Sequence, residues 1–247
     1  MGTRSLAYLA LLAYPFITLL VYEPNELRWW WRTGGGVPMP PEIMERSKQN
    51  EGNLLLFKFA LLTIASFFLL RGGLGSAASL GLRLRQPTGT VLMGVIAGIL
   101  LAVEVLGMLA LARKWTPRAG EVPIFVLRER TWKILAILVL GAFAEELWRA
   151  LALTAFIQAG TSIESAVLLT SLSFGVGHVI SYRSLGATLG RALRPAAGGA
   201  FLAALFLWSR TLVTPFIAHV LLNSTAALMQ RKRALVKQDS KASDLPG

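Results

Sequence analysis

A small set of residues in the second half of the chain has the types and spacing for acid–base chemistry, in places where charge is expensive. Glu145, Glu146 and Arg149 fall in the run Ala144-Glu-Glu-Leu-Trp-Arg-Ala. His178 closes Phe174-Gly-Val-Gly-His, and His219 and Asn223 bracket His-Val-Leu-Leu-Asn. All lie within apolar stretches long enough to cross a hydrocarbon core of about 30 Å. A charged side chain at that depth costs roughly 3 kcal/mol even on insertion scales, so each is a functional candidate by default. The chain has only 2 histidines, and both sit in apolar runs rather than loops.

Helical spacing groups these residues. His219 and Asn223 are four apart and share one face. Glu145 and Arg149 are also four apart, so the spacing predicts an ion pair between them. Glu146 is turned by about 100° from Glu145, so the two carboxylates need not share a task. With a rise of about 1.5 Å per residue, Glu145, His178, His219 and Asn223 fall between the midplane and the cytoplasmic end of their helices, compatible with one pocket. A carboxylate in a low-dielectric pocket is a competent general base for water. Two histidines with a glutamate also suit zinc or another divalent metal with an open coordination position. His178 and His219 are then the candidate ligands, and the residues leave both a metal and a metal-free route open.

Each residue alone has a structural reading, as an interhelical clamp or hydrogen bond. The set together points to chemistry. A bis-histidine haem would use His178 and His219 but leave Glu145, Glu146 and Arg149 unexplained. A proton relay through Glu104 and Glu145 lacks the inverted repeat common in transporters. Thr170, Ser171 and Ser173 have no histidine at a spacing that suggests a triad. The aspartates, Asp239 and Asp244, lie near the C-terminus, which removes an aspartyl dyad.

The elements that must hold these residues are membrane helices. Of 247 residues, 54% are hydrophobic and 15% charged, with mean hydropathy +0.57, too little charge for the surface of a soluble domain. The expected fold is all-α, a polytopic transmembrane helix bundle of about seven spans. The spans read as 6–21, 53–70, 91–112, 132–158, 163–182, 196–208 (starting as early as 187) and 212–229. The first reads as a retained helix rather than a cleaved signal. Residues 1–131 form N-terminal helices and loops, 132–229 a catalytic core, and 230–247 a basic cytoplasmic tail. The net charge of +12 lies between and after the apolar runs, a topogenic pattern rather than a nucleic-acid stripe. Loop 23–52, segments 113–133 and 183–194 and the tail hold most of the Lys and Arg. The C-terminus is therefore expected in the cytoplasm, in a cell inner membrane. Trp29, Trp30 and Trp31 read as an interfacial anchor. Gly94 and Gly98 read as a close-packing face, and Gly175 and Gly177 as points of close approach. The absence of cysteine excludes disulfides and thiolate chemistry.

The motifs resemble the CPBP group of intramembrane endopeptidases, which includes CAAX prenyl proteases and bacteriocin-processing enzymes. That family carries a Glu-Glu pair followed by Arg, a Phe-x-x-x-His and a His-x-x-x-Asn on successive helices. Phe174 with His178, and His219 with Asn223, match in order, and the likeness covers residues 132–229. The family has three residues between its second Glu and Arg; here Leu147 and Trp148 alone separate Glu146 from Arg149. A register fixed from Arg149 puts Ala144 in the first Glu position, whereas one fixed from the Glu pair makes Glu145 the first. The second is preferred, because the Glu pair carries the chemistry. The resemblance implies peptide hydrolysis in or near the bilayer, with a peptide or protein substrate at the membrane. Glu145 would be the base, Glu146 would assist, and Arg149 and Phe174 would support. His178 and His219 would position water or a metal-bound hydroxide, and Asn223 would face the oxyanion. The alternative is an inactive member acting as a membrane scaffold or as an immunity or partner protein.

Overall fold

The computed structural model describes residues 2–21, 32–33, 40–73, 80–81, 86–115, 126–127, 129–179 and 185–243. Trp29, Trp30, Trp31 and Tyr182 lie outside the described residues. Among the described residues there are seven helices and no strand. They are α1 (Thr3–Val21), α2 (Pro41–Arg71), α3 (Pro87–Trp115), α4 (Thr131–Gln158), α5 (Ile163–Val179), α6 (Leu185–Ser209) and α7 (Val213–Ser243).

The polarity of the bundle is that of a membrane protein. Phe57, Phe67 and Phe68 on α2 and Leu92, Ile99 and Leu100 on α3 are exposed, while Lys58, Glu145, Glu146, Arg149 and His219 are buried. Contiguous apolar surface of this kind suits lipid rather than water, and helices suit lipid because they pair their own backbone groups. Asn50–Arg71, Pro87–Glu104 and Ala192–Ser209 are long and apolar enough to cross a membrane. α4 carries more charge: any 18 of its consecutive residues contain Glu145, Glu146 and either Lys133 or Arg149. Both glutamates and Arg149 point into the bundle.

α4 is central and packs against α1, α2, α5, α6 and α7. α7 is set by α3 through the expected glycine face. A Cβ at Gly94 would lie 2.9 Å from Ile217 Cβ, and one at Gly98 would lie 2.9 Å from Leu221 Cβ. His219 sits between those two contact points in the sequence. α6 begins at Leu185, close to the early limit of 187 rather than at 196, and the helix runs through Pro195. α7 continues past residue 229 to Ser243, so the start of the basic tail is helical.

Pro15 explains how α1 is docked. It has no N–H for the carbonyl of Leu11, four residues back, and an unpaired carbonyl at this depth is costly. Ser173 of α5 fills the gap, its hydroxyl donating to Leu11 O at 2.6 Å. One residue earlier, the Trp148 indole of α4 donates to Ala10 O at 2.6 Å. α1 is thus fastened to two helices immediately before Tyr14. Ser173→Ala is expected to lower stability by about 1–3 kcal/mol, the usual cost of a buried acceptor left unpaired. Unfolding of the detergent-solubilised protein measures this, and a wild-type midpoint would mean that the bond contributes nothing.

Candidate active site

α4 supplies three buried ionisable residues in succession. Glu146 pairs with Arg149 one turn later, and Arg149 is 1% exposed. The pair expected from sequence, Glu145 with Arg149, is not the one formed. Both spacings bring side chains together on a helix. Glu145 instead turns toward α1 and α2, where other partners hold it. The Arg149 guanidinium also lies 4.4 Å above the centre of the Phe174 ring, a desolvated cation–π contact.

α7 brings His219 against both carboxylates. Its Nδ1 is 2.7 Å from Glu146 Oε1; a carboxylate oxygen accepts, so Nδ1 carries the proton and donates. The opposite ring nitrogen, Nε2, is 3.7 Å from Glu145 Oε2. α5 adds His178, whose Nδ1 is 2.9 Å from the Phe174 carbonyl. That oxygen can only accept, which again puts the proton on Nδ1 and the lone pair on Nε2. Phe174 packs against His178, with ring centres 4.4 Å apart. Asn223 is half-buried one turn beyond His219, and among the described residues its side chain makes no hydrogen bond. Glu145, Glu146, Arg149, Phe174, His178 and His219 therefore converge, with Asn223 beside them. Glu104 is exposed on α3.

Two members of the cluster escaped the sequence reading. Tyr14 of α1 is fully buried, and its hydroxyl donates to Glu145 Oε1 at 2.6 Å. Lys58 of α2, also buried, donates to the Tyr14 oxygen at 3.1 Å and stands 3.9 Å from Glu145 Oε1. Tyr14 lies among Trp148, Phe174 and His178, with ring centres 4.9, 5.2 and 5.9 Å away. Its ring occupies the space a side chain at Gly177 would need. Gly175 admits the α6 backbone instead, since a Cβ there would lie 2.6 Å from Ala192 O. A lysine inside a span was the available signal for Lys58. Tyr14 gave none, because a tyrosine in a span is ordinary.

Two histidines with carboxylates could in principle serve a catalytic metal. Both Nδ1 atoms are committed to protein acceptors and Glu146 to Arg149, which leaves the two Nε2 atoms and Glu145 Oε2 as the donors that would hold one. Among the described residues no group of three or more His, Asp or Glu is arranged to hold a metal ion.

Residues 127–225 match the family model for Rce1-like proteins, described as type II CAAX prenyl endopeptidase Rce1-like. The segment opens just before α4 and closes two residues past Asn223. It is an Rce1-like domain. All of the sequence-derived site residues fall within it, whereas Tyr14 and Lys58 precede it. No curated protein and no solved structure matches the chain. The family and the apolar helices together make the chain an integral membrane protein, and the family is one of CAAX endopeptidases.

Proposed function

We propose that the chain is an intramembrane CAAX-type endopeptidase that cleaves peptide bonds with water activated by Glu145. The observation that carries this reading is the 3.7 Å separation of Glu145 Oε2 and His219 Nε2. It is too long for a direct hydrogen bond and short enough for one water to touch both. In the proposed step, water gives a proton to Glu145 Oε2 as its oxygen attacks the scissile carbonyl carbon. The Nε2 lone pair of His219 accepts the water's second O–H, His178 supports the same pocket, and the Asn223 amide donates to the developing oxyanion. Glu145 then returns the proton to the leaving amine as the C–N bond breaks. Glu146 assists by holding His219 through Nδ1, and Arg149 balances its charge. The distribution of Lys and Arg supports a cytoplasmic C-terminus in a cell inner membrane.

The shortened Glu-Glu-x-x-Arg favours one rival, an inactive scaffold or partner protein. Against it, Arg149 still reaches Glu146 at a spacing of three. The test is cleavage of peptides ending in a CAAX sequence, prenylated and unprenylated, by protein reconstituted in liposomes. Wild type is expected to cleave with a metal chelator present, and Glu145→Gln and His219→Ala are expected to fail at equal membrane levels. Variants that keep the wild-type cellular phenotype would leave the scaffold standing.

A further inference from the structure

The buried charges of the Rce1-like domain do not balance by themselves. With neutral histidines, Glu145, Glu146 and Arg149 leave one uncompensated negative charge in a low-dielectric interior, an unfavourable arrangement. Arg149 is taken by Glu146. The missing cation is Lys58, on a helix outside the family match, and it brings the quartet to neutrality. It reaches Glu145 chiefly through the Tyr14 hydroxyl, at 3.1 Å and then 2.6 Å, with 3.9 Å for the direct path.

We propose that Lys58 and Tyr14 are positioning residues of this active site. Tyr14 fixes one oxygen of Glu145, Lys58 supplies its counter-charge, and the second oxygen is left to water. The inference rests on the reading of Glu145 as the base. The placement is built by the fold. Phe59, the neighbour of Lys58, fits against α4 where Gly141 has no side chain: a Cβ there would lie 2.6 Å from the ring. Tyr14 is held from the other side by the α1 docking bonds to Ser173 and Trp148. The Lys58 ammonium also lies 4.5 Å from the centre of the Tyr14 ring, so the two side chains are joined at the ring as well as at the hydroxyl. With Oε1 accepting from Tyr14, the carboxylate plane is set, and Oε2 is the oxygen that faces His219. A carboxylate free to rotate would present that oxygen only part of the time.

The test is a double-mutant cycle on the full-length protein in liposomes, using a CAAX peptide and reading kcat and KM separately. Tyr14→Phe keeps the ring and Lys58→Met keeps the volume. Each is expected to lower kcat about 10- to 100-fold, the scale of a hydrogen bond to a charged group, with KM within about twofold of wild type. Because both act through one oxygen, the double variant should fall no more than about threefold below the weaker single. Lys58→Arg, which keeps the charge, should recover activity relative to Lys58→Met. If Lys58→Met fails to accumulate in the membrane, Tyr14→Phe and Lys58→Arg carry the decision. Fully additive losses, or losses confined to KM, would overturn the relay. So would wild-type kcat in Tyr14→Phe alongside an inactive Glu145→Gln, which leaves the Glu145 reading intact. An active Glu145→Gln would overturn both.

Discussion

Glu145→Gln is expected to lower kcat by about 10²- to 10⁴-fold, the range for loss of a general base, with the amount of folded protein in the membrane unchanged. The amide is isosteric, and its oxygen can still accept from Tyr14, so the contact at 2.6 Å has a successor. What disappears is an atom able to take a proton from water and return it to the leaving amine. Glu146→Gln makes the informative comparison. Glu146 Oε1 already serves Arg149 and His219, so its loss should fall first on stability and on the orientation of His219, and less on kcat. Purified variants, assayed under single-turnover conditions after thermal unfolding has been measured, separate the two. If Glu146→Gln proves the more inactive while folding normally, the roles are exchanged. That outcome fits neither register, since one fixed from Arg149 places Ala144, a buried methyl with no chemistry, first and Glu145 second.

The helices were legible because each bilayer crossing needs its own apolar run, and such runs need no partner to be recognised. Their ends were less so. α6 reads as starting anywhere from 187 to 196 because 183–194 holds arginines that count as a connection, yet the helix continues back through Pro195 to Leu185. A proline deletes one donor, a local cost that packing along a long helix overrides. The Gly94 and Gly98 face was legible for the opposite reason: a small-residue spacing on one helix states its purpose without naming the partner.

The site was legible where chemistry and depth coincide. Glu145, Glu146, His178 and His219 are each anomalous in an apolar run, and the cluster collects all four. Which carboxylate Arg149 would take was not legible, since three- and four-residue spacings are both within reach. The choice is made by Tyr14 and Lys58, which occupy the far side of Glu145 and come from helices more than eighty residues away. Lys58 lay in plain view, but only a few residues inside the expected span 53–70, where a lysine usually extends to the interface. Its ammonium stays inside because a tyrosine hydroxyl and a carboxylate meet it there. Long-range pairing of that kind leaves no periodicity to read.

Arg149→Ala is expected to be the most destabilising single change, by about 3–5 kcal/mol, the cost of breaking a buried ion pair from one side. Arg149 is 1% exposed, pairs with Glu146 and covers the Phe174 ring. Truncation leaves the Glu146 carboxylate, among the described residues, with His219 Nδ1 at 2.7 Å and opens a space above Phe174, so charge and packing are lost together. The charge component can be isolated. Glu146→Gln with Arg149→Met removes both charges and keeps much of the volume. A neutral, well-packed replacement of a buried pair is often no less stable than the pair. The double variant should therefore recover most of the stability lost in Arg149→Ala, while His219, now facing an amide, is oriented less firmly. Reversible unfolding in mixed micelles gives the stabilities, and peptide cleavage gives the rate. A double variant as unstable as Arg149→Ala would mean that the cation–π contact and side-chain volume, rather than the Glu146 ion pair, hold this part of the bundle. Recovery of stability without recovery of cleavage would separate the two duties of Arg149, keeping the bundle folded and, through Glu146, holding His219 in line with the base.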